Sequence, residues 1–222
     1  MKKTILILAA LALIAGSCNQ ATKQKTTSEL PTVTKPQSSA KTPIAVQAQQ
    51  INPLEDMIIK TIKAYQNKDE KTLNQLVLKD FGIAFVHRPG VMDDFIFSDK
   101  ISFNKPIPDY DPYDVDVKTD GKVRFEDLPV FDCDKEKWNK PHGIYCDTTI
   151  NIDILSDIAK FRNENLEGNY SAAEIKKFEN IEKRSYKVIV LGKKGNSFRF
   201  FLTFKNNKWY LTIIDRIDYC SA

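Results

Sequence analysis

The stretch IAFVHRPGVMDDF contains the side chains best suited to acid–base chemistry. Residues 83–88 read as a strand, and strand alternation points His87 the same way as Ile83 and Phe85, towards an apolar interior. Imidazole titrates near neutral pH, and Asp93 or Asp94 just past the turn could orient it or pair with it. His87, Asp93 and Asp94 are therefore candidate catalytic residues. The alternative is a hydrogen-bonded histidine at a strand end beside a solvated turn.

Cys18 follows the pattern of an export signal at the start of the chain. Two lysines follow Met1, residues 5–15 form an uninterrupted apolar run, and small residues precede the cysteine. The run is far shorter than the ~20 apolar residues of a membrane-spanning helix, so it predicts a secretory signal. A signal cleaved elsewhere, with Cys18 incidental, is the alternative.

Residues 14–18, IAGSC, resemble the lipobox of bacterial lipoproteins. The resemblance implies that residues 1–17 are removed as a signal peptide and that Cys18 becomes the lipidated first residue, with acyl chains such as palmitate. Two or more such chains hold a protein at a bilayer. The expected location is the cell envelope. Asn19 is not the aspartate that retains enterobacterial lipoproteins at the inner membrane, which favours the outer membrane and a periplasm-facing domain.

Residues 18–52 are predicted to be the lipidated cysteine followed by a tether. Residues 19–52 contain six Gln, six Thr and no aromatic side chain, which is too little apolar surface to offset the entropy of ordering. The remaining part, 53–222, has the size of one domain.

The charge of the chain is distributed unevenly. The net charge is +4, but lysines of the leader and tether supply the excess, leaving 27 basic and 28 acidic residues in 53–222. A nucleic-acid-binding protein needs a clustered basic face, and no such run appears, so nucleic acid is not an expected partner. Phosphate-loop and dinucleotide motifs are also missing, and we predict no cofactor.

A group of thiols and imidazoles lies in FDCDKEKWNKPHGIYCD. In an exported protein, Cys133 and Cys146 are suitably spaced for a disulfide across two strands joined by a loop. Cys220 leaves other single pairings open and one thiol free. A metal site formed by Cys133, His142, Cys146 and His87 is the alternative, but its spacing matches no recognised motif.

Four carboxylates are clustered in DYDPYDVD, at Asp109, Asp111, Asp114 and Asp116. Such clusters can bind calcium, but the sixth and twelfth positions of an EF-hand loop are glycine and glutamate, and here they are Asp114 and Asp120. A solvated acidic turn is the favoured interpretation, and no metal site is predicted.

Periodicity predicts helices and strands in a definite order. Asn52 and Pro53 favour a helix start, Asp69 caps a second helix, a helix is expected near residues 154–162, and Ser171 with Glu174 forms a capping box. Three strands close the chain at residues 186–191, 197–204 and 208–217, with Asn206 and Asn207 as a two-residue hairpin. Alternation places the following side chains towards the helices: Phe198, Phe200, Leu202, Phe204, Trp209, Leu211 and Ile213.

The step YQNKDEKTLNQLV and the closing strand NNKWYLTIID resemble the nuclear-transport-factor-2-like, or cystatin-like, superfamily, over residues 53–88 and 186–217. Members wrap a curved sheet around a long helix to form a cone with a pocket. Some are isomerases or dehydratases that move protons with a pocket His or Asp, and many are binding modules. The resemblance implies an α+β fold with N-terminal helices packed on a curved antiparallel sheet that ends in a three-stranded meander.

The expected function is that of an exported lipoprotein, attached to the bilayer through Cys18, with a non-catalytic domain that binds a small apolar ligand or an envelope protein. The aromatic content of the last three strands supports this expectation. The alternatives are an isomerase- or hydrolase-like enzyme that uses His87, and a purely structural envelope protein.

Overall fold

The structure is a computed structural model that describes residues 44–218 and residue 220, with only the backbone for residues 44–52. The predicted signal peptide, Cys18, Asn19 and most of the tether lie outside these residues. The helices are α1 (Ile44–Gln66), α2 (Glu70–Leu76), α3 (Ile154–Asn165) and α4 (Ala172–Glu182). The strands are β1 (Ile83–His87), β2 (Asp94–Ser98), β3 (Val123–Phe125), β4 (Phe131–Asp132), β5 (Lys137–Trp138), β6 (Gly143–Asp147), β7 (Ser185–Leu191), β8 (Ser197–Lys205) and β9 (Lys208–Asp215).

Seven of the strands form one open sheet in the order β2-β1-β9-β8-β7-β6-β3, while β4 and β5 pair separately. The pairing is antiparallel except between β1 and β9 and between β6 and β3, which are parallel. The α+β class and the three-stranded meander of β7, β8 and β9 are therefore confirmed. Within the described residues, no helix combines the length and apolarity needed to cross a membrane.

Helices cover both faces of the sheet. On one face, α1 and α2 pack against side chains such as Phe200 and Leu202 of β8. On the other face, α3 and α4 pack against Phe201 of β8 and Ile213 of β9. Each layer of helices buries an apolar stripe that it could not bury alone, which gives the domain two cores separated by the sheet.

Helix caps and a hairpin turn lie where the sequence predicts them. Thr72 N donates to the Asp69 carboxylate at 3.0 Å, and the Ser171 and Glu174 side chains form the reciprocal capping box of α4. The hairpin residues Asn206 and Asn207 both have positive φ, at 51° and 59°, as a type I′ turn requires. These predictions are confirmed.

The start of α1 was predicted wrongly. The helix begins at Ile44, nine residues before Pro53, which is inside it rather than at its first position. Alanine and glutamine before Pro53 are good helix formers, and the helix continues through the proline although its ring removes one backbone donor and crowds the carbonyl four residues earlier. The helix therefore extends into the segment 18–52 that we predicted to be a tether.

A bulge in β9 corrects the predicted face of Ile213. Phe201 pairs with Ile213 while Leu202 pairs with Leu211, so Thr212 is the extra residue. A bulge reverses the alternation beyond it. Trp209 and Leu211 face α1 and α2 as predicted, whereas Ile213 faces α3 and α4.

Residues 99–122 contain neither helix nor strand and are fixed to the core by side chains. The Asn74 amide pairs with both backbone groups of Ile101, at 2.6 and 3.0 Å, and the Glu70 carboxylate accepts from Phe103 N. Ile101, Tyr113 and Val117 are buried against α1 and the sheet. Buried backbone groups need hydrogen-bond partners, and in this irregular segment side chains supply the partners that a neighbouring strand would supply in a sheet.

Candidate functional site

A cleft with a volume of about 540 Å³ lies between the second half of α1 and the loop 117–121. We call it the α1 cleft. Its lining residues are Ile59, Ile62, Lys63, Gln66, Lys118, Thr119, Gly121, Ile144 and Lys193.

Isoleucine side chains form the apolar floor of the α1 cleft. Ile62 of α1 and Ile144 of β6 are buried members of the core under that helix, and Ile59 packs against the same core. The floor is therefore a rigid part of the core, with a place for an apolar group.

The helical repeat positions one wall of the cleft. Ile59, Ile62, Lys63 and Gln66 are three, four and seven residues apart, so they share one side of α1. Gln66 Nε2 donates to the Val117 carbonyl at 2.7 Å, which connects the loop to the helix.

The opposite wall is connected to the turn between β7 and β8. Lys193 N donates to the Lys118 carbonyl at 3.3 Å. Asn196 Nδ2 donates to the Asp116 carbonyl at 3.1 Å, and Lys194 Nζ lies 2.7 Å from the Asp116 carboxylate. These contacts fix the distance between the loop and the turn, and with it the width of the cleft.

The rim of the α1 cleft is positively charged. Lys63, Lys118 and Lys193 are exposed at its edge, and none of the described lining residues has a carboxylate. Lys118 Nζ is 3.5 Å from Asp116, an exposed pair that binds weakly. An anionic group at the rim would therefore be attracted by three ammonium groups while an apolar part contacts the floor.

His87 is buried at the end of β1 and lies directly opposite Asp94 of β2 in the antiparallel ladder. Its Nδ1 has no hydrogen-bond partner among the described residues. Asp93 instead forms an ion pair with Arg88 at 2.7 Å, and Asp94 forms one with Arg162 of α3 at 2.6 Å. Arginines therefore bind both carboxylates, and the assembly of His87 with Asp93 or Asp94 stays a prediction.

The disulfide differs from the predicted pair. Cys133 is bonded to Cys220, with Cα atoms 5.6 Å apart, and Cys146 is a free, buried thiol in β6. Cys146 packs into the core under α1, where burial raises its pKa to about 12. The bond also removes Cys133 from the alternative metal set with His142, and the described residues contain no group of three or more His, Cys, Asp or Glu arranged for a metal ion.

The acidic stretch binds basic side chains rather than converging on one point. Asp111 pairs with Arg216, Asp116 pairs with Lys194, and Asp114 accepts from the Asn196 amide at 2.7 Å. These contacts connect the loop to the ends of β8 and β9.

A buried charge cluster lies in the sheet on its α3 side. Asp215 of β9 has a side chain that is 1% exposed, with Lys187 Nζ at 2.9 Å and an Arg199 nitrogen at 3.8 Å. Burial opposes its ionisation, but the two cations outweigh burial and keep the pKa of Asp215 below its usual value. We assign this cluster to stability, because the buried Asp215 carboxylate lies between two cations that favour its charged form.

Sequence reasoning missed the α1 cleft. The spacing of Ile59, Ile62, Lys63 and Gln66 was a local signal for one wall. Lys118 and Lys193 lie 75 residues apart, and only the folded sheet brings them together.

Comparisons of the chain with known protein families, with curated proteins and with solved structures found no match.

Proposed function

We propose that the domain is a non-catalytic binding module for a small ligand with an apolar body and an acidic group, bound in the α1 cleft. The observation that supports this proposal is the combination of an isoleucine floor with three lysines at the rim, and with no carboxylate among the described lining residues. A fatty acid or another amphipathic anion has the matching chemistry, because its chain can replace water on the floor while its head remains at the charged rim.

The proposal also includes attachment of the protein to an envelope membrane and membership of the nuclear-transport-factor-2-like superfamily. The lipobox pattern supports attachment of the chain to an envelope membrane through Cys18, and Cys18→Ser is expected to move the protein out of the membrane fraction. The packing of the β7–β9 meander against α1 supports the resemblance to the nuclear-transport-factor-2-like superfamily, including its cone with a pocket beside the long helix.

The ligand proposal is tested with decanoate and its uncharged analogue decanol, added to the purified full chain in a calorimetric titration. We expect decanoate to bind, and the double variant Lys63→Ala/Lys193→Ala to weaken binding about tenfold or more, because two ammonium partners of the carboxylate are lost. Decanol should bind both proteins equally, since it contacts only the floor.

The matched control is Lys60→Ala/Lys208→Ala, which removes the same charge at two exposed lysines outside the cleft. Its decanoate affinity should equal that of the wild type. Binding that is unaffected by Lys63→Ala/Lys193→Ala, or equally weakened in the control, would reject the α1 cleft as the site.

An isomerase- or hydrolase-like activity is the second candidate, favoured by the buried Nδ1 of His87, which has no hydrogen-bond partner in the described part of the chain. Its discriminating test is His87→Ala, which should abolish turnover of any substrate that the chain converts. Equal turnover by both proteins would remove His87 from consideration.

A further inference from the structure

A second cleft, of about 490 Å³, lies where α4, the turn at residues 80–81 and the end of β8 meet. We call it the α4 cleft. It belongs to the side of the sheet that α3 and α4 cover, and its described lining residues all differ from those of the α1 cleft. Phe81 and Ile181, both mostly buried, form its apolar surface.

Four cations surround this surface: Lys176, Lys177, Arg184 and Lys205. Lys177 Nζ lies 5.5 Å from the centre of the Phe81 ring, a cation–π distance that places its charge over the apolar surface.

Existing carboxylates neutralise these cations only in part. Lys205 Nζ is 3.5 Å from Asp80, whose side chain is 82% exposed, and Lys176 Nζ is 3.5 Å from Glu179. Glu179 lies closer to Lys160, at 3.0 Å. The Arg184 guanidinium has no hydrogen bond or ion pair with any described residue. The cleft therefore has a surplus of positive charge, with a guanidinium available for a ligand.

Cations are often found near the C-terminus of a helix, where they interact with its dipole, and Arg184 follows the end of α4. This preference does not by itself account for the surplus of positive charge in the α4 cleft. The backbone N–H groups of Lys183 and Arg184 already donate to the last carbonyls of the helix, those of Glu179 and Ile181, at 3.1 Å. The field of a helix end fades within one turn, whereas Lys176 and Lys177 lie further back along α4.

We propose that the α4 cleft binds a phosphate ester, with Arg184 as the principal contact. A guanidinium can donate two parallel hydrogen bonds to a phosphate, and the three lysines supply further charge to a group with up to two negative charges. Phe81 and Ile181 would contact the organic part beside the phosphate. A phospholipid headgroup and a soluble phosphate ester share this chemistry.

The test titrates the full chain with glycerol 3-phosphate and with monomeric dihexanoyl phosphatidylglycerol, using glycerol as the uncharged reference. We expect at least one phosphate compound to bind and Arg184→Ala/Lys205→Ala to weaken it about tenfold or more. Tighter binding of the phospholipid would identify a headgroup with its chains as the source, and equal or tighter binding of glycerol 3-phosphate would identify a soluble ester.

The matched control is Lys183→Ala/Lys208→Ala, which removes two exposed lysines outside the α4 cleft. Unchanged binding in this control supports the site. Equal weakening in both variants would indicate diffuse surface charge and overturn the proposal, as would failure of both phosphate compounds to bind. Lys63→Ala/Lys193→Ala should retain phosphate binding, which separates this result from that of the α1 cleft.

Discussion

Lys187 Nζ lies 2.9 Å from a carboxylate oxygen of Asp215, although the two residues belong to β7 and β9 and β8 runs between them. The lysine side chain crosses β8 over Phe201, with its charge 5.4 Å from the ring centre. Arg199 of β8, directly opposite Asp215 in the ladder, donates from Nε to the Asp215 carbonyl at 3.3 Å. One carboxylate thus connects all three strands of the meander.

Replacing Asp215 with asparagine should lower the free energy of unfolding by about 3–5 kcal/mol, because Lys187 and Arg199 would lose the buried carboxylate that lies between them. Urea unfolding at pH 7 measures the loss. Asp99→Asn, at an exposed position, is the control and should change little. A loss as small as that of the control would mean that the cluster contributes nothing to stability.

The same carboxylate predicts an acid-sensitive component of stability. The folded pKa of Asp215 lies below its unfolded value of 3.8, so its contribution is fully present above about pH 4. It should be lost as the pH falls through the folded pKa. Urea unfolding between pH 7 and pH 2 should therefore show wild type and Asp215→Asn converging in acid. A constant difference at all pH values would contradict this assignment.

Glu182 should show the opposite pH dependence. Its buried carboxylate accepts from Leu155 N and Ser156 N at the start of α3, and burial raises its pKa above the usual 4.5. Glu182→Ala should cost about 1–2 kcal/mol as a lost helix cap, whereas Glu182→Gln retains an acceptor and should cost less.

Because the folded pKa of Glu182 is raised, its favourable contribution is fully present below the unfolded pKa. It is lost as the pH rises through the folded value. The stability of wild type relative to Glu182→Gln should therefore increase from pH 7 to pH 4. An increase towards neutral pH instead would show that the carboxylate prefers to be ionised in the fold.

Cys220→Ser should destabilise the domain strongly. Cys133 and Cys220 are 87 residues apart, and closing a loop of that length contributes up to ~4.6 kcal/mol on the chain-entropy estimate. Peptide mapping without reductant should recover Cys133 linked to Cys220, and thermal unfolding measures the loss. Recovery of Cys133 linked to Cys146 would restore our sequence prediction and reject the pair in the structure.

Cys146 should be inert in the folded protein. Its thiol is fully buried and its pKa of about 12 leaves almost no thiolate at neutral pH. A thiol-specific alkylating reagent followed by peptide mapping should leave Cys146 unlabelled in the native chain and should label it after denaturation. Rapid labelling of Cys146 under native conditions would mean that β6 opens locally.

Local signals made parts of this fold predictable. The caps at Asp69 and Ser171 and the turn at Asn206 and Asn207 each depend on a few adjacent residues. Phe200 and Leu202 alternate regularly, and their face was predicted correctly.

Features set by distant partners were not predictable in the same way. The sequence around Thr212 is that of an ordinary strand, and the bulge is visible only in the register of β9 against β8. The predicted face of Ile213 was therefore wrong. The choice of Cys220 over Cys146 depends on which thiol the sheet buries. The ion pair of Asp94 was also not predictable, because its partner Arg162 belongs to α3, more than 60 residues away along the chain.

The α1 cleft is assembled from α1, the loop 117–121, β6 and the turn after β7, which are far apart along the chain. No short fragment contains all its walls, so a ligand bound there has affinity for the complete fold and none for a partly folded chain. By mass action, such a ligand raises the stability of the whole domain, by ~2.7 kcal/mol at a free concentration of 100 times its Kd. Thermal shift is therefore a direct screen for the natural ligand, and melting of the entire sheet reports on occupancy of one cleft.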